Sequence, residues 1–253
     1  MDAPFPPATA AVADAAVRLG IPVGTAPVDL VALLPGRPFS GPAAPVTHLG
    51  SVDVLLETID DAPPGAVLVV DNGGRDDEAC VGDLMLLEAA TAGMAGAVIW
   101  GRHRDTAQLR EIGLPVFSRG AHPFGPRRVP PAGTSMRSAF LDGVAVTSEH
   151  WIVADDDGVL VLAASHRERL FAEAARIQSV EGAQAERMRG GSSLRDQLDF
   201  ARYRREQAAD PSSRCAATWL RTEERSRREI VLVGAVFSQV CPNSCPPTPP
   251  WGR

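Results

Sequence analysis

Gly82-Asp83-Leu84-Met85-Leu86-Leu87-Glu88-Ala89-Ala90-Thr91-Ala92-Gly93-Met94-Ala95-Gly96-Ala97-Val98-Ile99-Trp100-Gly101-Arg102-His103-Arg104-Asp105 is the stretch from which the rest of the chain is read. Its apolar, Ala-rich part predicts a helix over Leu84–Ala92, stopped at Gly93 by a left-handed C-terminal cap. Ala97–Trp100 predicts a strand. About ten helical residues at ~1.5 Å cover about 15 Å, and five or six strand residues at ~3.3 Å cover a similar span. The segment is therefore one descent and one return, and its two polar ends meet.

Ala66–Val70 upstream is a second apolar strand, so the local order is strand, helix, strand. In a parallel α/β unit a helix begins at the sheet edge where the flanking strands end, and ligands bind there. Asp71-Asn72-Gly73-Gly74, Gly82-Asp83-Leu84-Met85 and Arg104-Asp105 are all expected to converge on that edge. Free backbone N–H groups at Gly82–Met85 favour an anion such as a carboxylate. Arg104 adds a planar fork for the same anion. Asp83 and Asp105 are hard oxygen ligands for a divalent cation or its waters. Each has a plainer reading. Asp105 is placed to N-cap a helix starting at Thr106, and Asp83 to complement the positive start of its own helix. His103 reads as a proton relay or as an exposed loop histidine.

These residues resemble the RraA-like family, which includes divalent-metal aldolases acting on 4-hydroxy-4-methyl-2-oxoglutarate and 4-carboxy-4-hydroxy-2-oxoadipate. The resemblance rests on Gly82-Asp83, twenty residues, then Arg104-Asp105. It extends through Gly93-Met94-Ala95-Gly96, Pro115-Val116-Phe117, Gly143-Val144-Ala145-Val146 and Val153–Val159, and spans roughly Thr9 to Ser212. It implies a single-domain swivelling α/β/β sandwich with a C-terminal helical extension, assembled as a homotrimer or hexamer with the site between subunits. It also implies a class II pyruvate aldolase using Mg²⁺ or Mn²⁺ held by Asp105. Asp83, Arg104 and Asp105 are then catalytic, and Gly82, Leu84, Met85 and Arg104 bind the substrate. Oxaloacetate decarboxylation is the implied side reaction. The alternative within the family is a non-catalytic regulator that binds ribonuclease E; such regulators tend to lack the aspartate after the arginine, which is present here as Asp105.

Composition narrows the chemistry. All 25 basic residues are arginine. Without lysine there is no Schiff-base aldolase, pyridoxal-phosphate anchor or P-loop. The net charge of −6 argues against a nucleic-acid partner. No apolar run reaches the ~20 residues that span a bilayer. The start, Met1-Asp2 followed by prolines, lacks a signal-peptide pattern, so a cytoplasmic location is expected.

Further elements are predicted as helices over Thr9–Leu19, Val52–Ile59, Thr106–Ile112 and about His166 to Arg187. Strands are predicted at Val116–Ser118, Val144–Thr147 and Ile152–Ala154, the last two paired with Val159–Leu162. Pro35–Pro45 and Gly120–Gly133 read as links rich in proline and glycine. Asp155-Asp156-Asp157-Gly158 reads as a hairpin turn more readily than as a calcium loop. The expected domains are a disordered N-terminus at 1–8, a catalytic domain at 9–190, a helical arm at 191–212 and an atypical tail at 213–253. That tail, either a private extension, disordered in the folded protein, or a shifted reading frame, holds Cys215, Cys241 and Cys245, and the Cys241/Cys245 pair is a weak case for zinc.

Overall fold

The computed structural model describes residues 6–127 and 133–209. Labels run in chain order. Four parallel strands, β3 (Phe39–Thr47), β4 (Val67–Asp71), β6 (Gly96–Trp100) and β8 (Val116–Ser118), lie side by side, with short β2 (Val31–Ala32) antiparallel at the far edge. Beyond β3 the sheet continues antiparallel through β12 (His150–Asp155), β13 (Gly158–Ala163) and β1 (Gly24–Thr25). Two-residue β9 (Thr134–Ser135) pairs with the end of β3.

Side-chain alternation builds the layers. Leu68 and Val70 face one core with Ala44, Val46, Ala97 and Ile99, under helices α2 (Asp53–Asp61), α3 (Asp83–Thr91) and α4 (Thr106–Ile112). Val67 and Val69 face the other way, against Ile152, Ala154, Val159 and Val161. Leu141 and Val146, from the hairpin of β10 (Ala139–Leu141) and β11 (Val144–Val146), complete that second core. The sheet thus curls until its parallel and antiparallel halves face one another, giving the α/β/β sandwich. A third core lies outside the antiparallel half, where α1 (Thr9–Leu19) and α5 (Arg167–Arg189) cover Val153, Leu160 and Leu162. Residues 67–70 are fully buried, as strands covered on both faces must be. Each such side chain contributes about 1.5–3 kcal/mol of hydrophobic stabilisation.

Two expectations are corrected. Phe39–Thr47 is the longest strand, although it lies largely within the stretch that reads as a proline-rich link. Its first half pairs only with β12, through Phe39–Pro42, and its second half with β4, through Ala43–Thr47. Pro42 and Pro45 each therefore have one side outside a main ladder, the edge-like setting in which a strand tolerates proline. Val144–Val146 pairs with Ala139–Leu141 across an Asp142-Gly143 turn, not with Val159–Leu162. Asp155 and Gly158 close the β12–β13 hairpin as a turn. Asp155 also accepts hydrogen bonds from Thr9 N and Oγ1 at 2.7 and 2.6 Å, tying α1 to the hairpin.

After α5 come α6 (Leu194–Gln197) and α7 (Phe200–Ala209), the C-terminal helices. The tail assigned to 213–253 lies outside the described residues. No helix among the described residues is long and apolar enough to cross a membrane.

Candidate active site

β4 and β6 are parallel neighbours joined by a crossover through α3, so α3 begins at the edge where both strands end. A small two-stranded sheet refines this placement. β5 (Ala79–Val81) runs parallel to β7 (Arg102–His103), and Arg104 N–H donates to Val81 O at 3.0 Å. Gly82 and Arg104 are thereby brought side by side. A Cβ on Gly82 would lie 2.5 Å from Asp105 Oδ2 and 3.1 Å from Arg104 Nε. The backbone at Gly82 is ordinary extended chain, φ −136°, so close approach, and not conformation, requires glycine there.

A cavity of about 240 Å³ opens at this junction, lined by residues 79–85 with Val52, Arg104 and Pro126. Of the residues singled out from the sequence, Gly82, Asp83, Leu84, Met85 and Arg104 line it. Asp105 does not line it directly. Its Oδ2 lies 3.3 Å from Arg104 Nε and accepts from Asp83 N–H at 3.3 Å. The side chains of Arg104 and Asp105 remain 47% and 34% exposed, open to a ligand. The guanidinium also packs over Gly125, where a Cβ would lie 2.6 Å from Arg104 Nη1.

Two details differ from expectation. The N–H groups expected to face an anion are partly taken: Leu84 N–H donates to Asp83 Oδ1 at 2.8 Å, and Asp83 N–H to Asp105. Asp105 does not cap α4 with its side chain. It adopts a left-handed conformation, φ 60°, ψ 39°, and turns its carboxylate back towards α3. Such a backbone costs on the order of 1–3 kcal/mol in a residue other than glycine and persists where the surroundings impose it.

The third predicted segment stays out of the cavity. Asp71 accepts from Gly73 N–H at 2.8 Å and Phe140 N–H at 3.0 Å, and buried Asn72 lies 3.0 Å from His48 Nδ1. His103, readable as an exposed loop residue, is 4% exposed. Its Nδ1 lies 2.7 Å from Ser118 Oγ and its Nε2 3.0 Å from Thr106 Oγ1. Burial, with the nearby charges of Arg110 and Arg102, holds its pKa below the usual histidine value. His103 also forms a backbone bridge with Ala121 of the proline-rich loop, a pairing that leaves no periodic signal in the sequence.

Among the described residues no three His, Cys, Asp or Glu side chains gather into a metal cage. The hard donors are two carboxylates, Asp83 in the cavity wall and partly exposed Asp105 behind Arg104. That set fits a magnesium-like cation, which keeps several waters and takes only one or two carboxylates. It does not suit zinc, which takes at least three protein ligands, usually including cysteine or histidine. A larger groove of about 820 Å³ lies between α1, β1, β2 and β13. Its walls are mainly apolar, with Asp156 and Asp157 at the rim, and it holds none of the predicted residues.

Residues 9–161 match the sequence model of the family described as RraA-like, Aldolase/RraA. A Burkholderia multivorans protein provisionally named 4-hydroxy-4-methyl-2-oxoglutarate aldolase is 36% identical over 129 residues, 50% of this chain and 77% of that one. Among solved structures, an uncharacterised protein from Pseudomonas syringae pv. tomato aligns with a TM-score of 0.65 at 28% identity, covering 74% of this chain and 90% of its own. Streptomyces coelicolor RraAS2, an unusual member of the RNase ES inhibitor RraA protein family, aligns with a TM-score of 0.63 at 28% identity, covering 71% and 93%. With more than half of its length inside the family match, and with Gly82-Asp83 and Arg104 meeting at one cavity and Asp105 held against both, the chain belongs to the RraA-like family.

Proposed function

We propose that the chain is a divalent-metal-dependent lyase that cleaves 4-hydroxy-2-oxo diacids, such as 4-hydroxy-4-methyl-2-oxoglutarate, to pyruvate and a second 2-oxo acid. The observation that carries this reading is the meeting of the α3 start with Arg104 at one open cavity, with the Asp105 carboxylate held against both. Lysine is absent, so no Schiff base competes as the electron sink. Asp105, with water, would hold Mg²⁺ or Mn²⁺, and the chemistry such an ion would supply is Lewis acidity towards the 2-oxo group.

The chain's own residues do the rest. Arg104 exchanges its contact with Asp105 for the carboxylate of the 2-oxo acid, which it grips bidentately. The start of α3 adds positive potential from its peptide dipoles, with Met85 N–H among the groups that lack an intrahelical acceptor. As the C3–C4 bond breaks, its electron pair moves to C3 and spreads onto the 2-oxo oxygen, where Arg104 and the helix start stabilise the developing charge. The C4 hydroxyl loses its proton to a water oriented by Asp83, and C4 becomes the carbonyl of the second product. C3 then takes a proton to give pyruvate. Oxaloacetate loses CO₂ at the same site because it generates the same charge at C3. A cytoplasmic homotrimer or hexamer is the proposed setting.

The likeness to RraAS2, whose family inhibits RNase ES, favours a second reading: a non-catalytic regulator that binds ribonuclease E. Pyruvate release from 4-hydroxy-4-methyl-2-oxoglutarate and from oxaloacetate, with Mg²⁺, with EDTA and in Asp105→Ala, separates the two. Metal-dependent turnover that Asp105→Ala abolishes supports the lyase. No turnover in a folded, metal-supplied protein overturns it for these substrates, and ribonuclease E capture then tests the regulator.

A further inference from the structure

The corner that presents Arg104 and Asp105 is closed by the side chain just before it. His103 is held through its backbone on both sides: its N–H donates to Gly120 O at 3.0 Å, and its carbonyl accepts from His122 N–H at 2.8 Å. Its buried ring reaches Ser118 Oγ, at the end of a main-sheet strand, and Thr106 Oγ1, in the first turn of α4. The ring-to-Thr106 contact closes a short loop around only two other residues, Arg104 and Asp105. One of these is the left-handed Asp105. Ser118 Oγ is itself fixed by Gly120 N–H at 3.1 Å.

A neutral imidazole has one donor and one acceptor nitrogen, and two hydroxyls that each donate and accept satisfy it in either tautomer. A leucine of similar bulk would fill the same space and make neither bond. We propose that His103 is a positioning residue, its ring clamping Thr106 to Ser118 so that the left-handed turn at Asp105 holds the carboxylate against α3 and beside Arg104. The inference rests on the assignment of Arg104 and Asp105 to the site.

The test uses His103→Leu, Thr106→Val, which removes only the hydroxyl, and Thr106→Ser, which restores it, in the full chain. Amide hydrogen exchange at Arg104 and Leu109, whose N–H groups donate to Val81 O and Asp105 O at 3.0 Å each, Mn²⁺ affinity from the paramagnetic resonance of the free ion, and Tm are measured together. The expected result is an about tenfold loss of Mn²⁺ affinity in His103→Leu, typical of an outer-shell partner. Exchange at residues 104 and 109 speeds up by about tenfold without a matching rise elsewhere. Thr106→Val shows the same pattern more weakly, and Thr106→Ser returns to wild-type values. Folded variants with site exchange and Mn²⁺ affinity within about twofold of wild type overturn the proposal. If the wild type neither binds Mn²⁺ nor releases pyruvate, the lyase reading fails, and local exchange alone then supports or overturns the clamp.

Discussion

Two loops leave the same edge of the sheet carrying the same kinds of residue, and they end in opposite conditions. After β4, Asp71-Asn72-Gly73-Gly74 closes on itself. Both Asp71 oxygens accept backbone N–H groups, Asn72 is buried against His48, and Gly74 N–H donates to Trp100 O. After β6, Arg104 and Asp105 keep their charged ends partly exposed beside a cavity. Position at a strand's C-terminal end is therefore not enough to make a site. A loop whose carboxylate is already satisfied within the fold braces it, and a loop that leaves charge facing an opening can bind.

The sharpest break of that comparison is a paired glycine substitution. In Gly82→Ala the new methyl meets Asp105 Oδ2 at 2.5 Å with no backbone penalty, so the charged pair must move. Pyruvate release should fall by about 100-fold, the usual consequence of misplacing reacting groups by an ångström or so, with little change in Tm. In Gly74→Ala the methyl meets the Trp100 ring at 2.7 Å on a backbone with φ +63°. That variant should lose roughly 1–3 kcal/mol of stability yet retain turnover within a few-fold of wild type. A folded Gly74→Ala without turnover would place the first loop in the site after all.

Asp71→Ala sharpens the point more gently. It leaves the N–H groups of Gly73 and Phe140 without their acceptor, a cost of about 1 kcal/mol in a partly solvated position. Chemical denaturation should show the loss while the KM for the 2-oxo acid stays put.

The contrast between these loops also marks how far the sequence could be read. Elements bounded by local chemistry were legible: α1 ends at Gly20 and α4 at Gly113, both left-handed. The crossover rule placed Asp83 beside Arg104 because the geometry of strand, helix and strand is nearly universal. β3 was hidden by Pro42 and Pro45, since only the finished sheet shows that each proline is paired along one edge alone. The destinations of the N–H groups at Asp83 and Leu84 were equally hidden. Asp105 reaches the first of them across twenty-two positions of sequence, a tertiary fact that no spacing encodes.

Within the corner itself, His103 couples the fold to pH. Its pKa is lowered in the folded state, so below the ordinary value of 6.5 the unfolded chain binds more protons than the native one. Stability of the metal-free protein should therefore fall as pH drops below about 6.5, and His103→Leu should flatten that part of the profile. Denaturation midpoints between pH 5 and 8 measure it. An unchanged slope in the variant would assign the acid sensitivity to other groups.

The smallest expected effect concerns Cys80, which stands in the wall of the open cavity yet behaves like the closed loop. Its side chain is buried, its Sγ donates to Arg102 O at 3.6 Å, and burial pushes the thiol up to about 12. The thiolate is the reactive form, so Cys80 should stay unmodified by iodoacetamide at pH 8 in the native protein and react once the chain is unfolded. Peptide mapping by mass spectrometry reads both states. Turnover should be unaffected by the treatment, provided modification elsewhere is accounted for by the same map. Rapid native labelling would mean that β5 parts from β7, and with it the pairing that sets Gly82 against Arg104, so the open loop would owe its shape to a ligand and not to the fold.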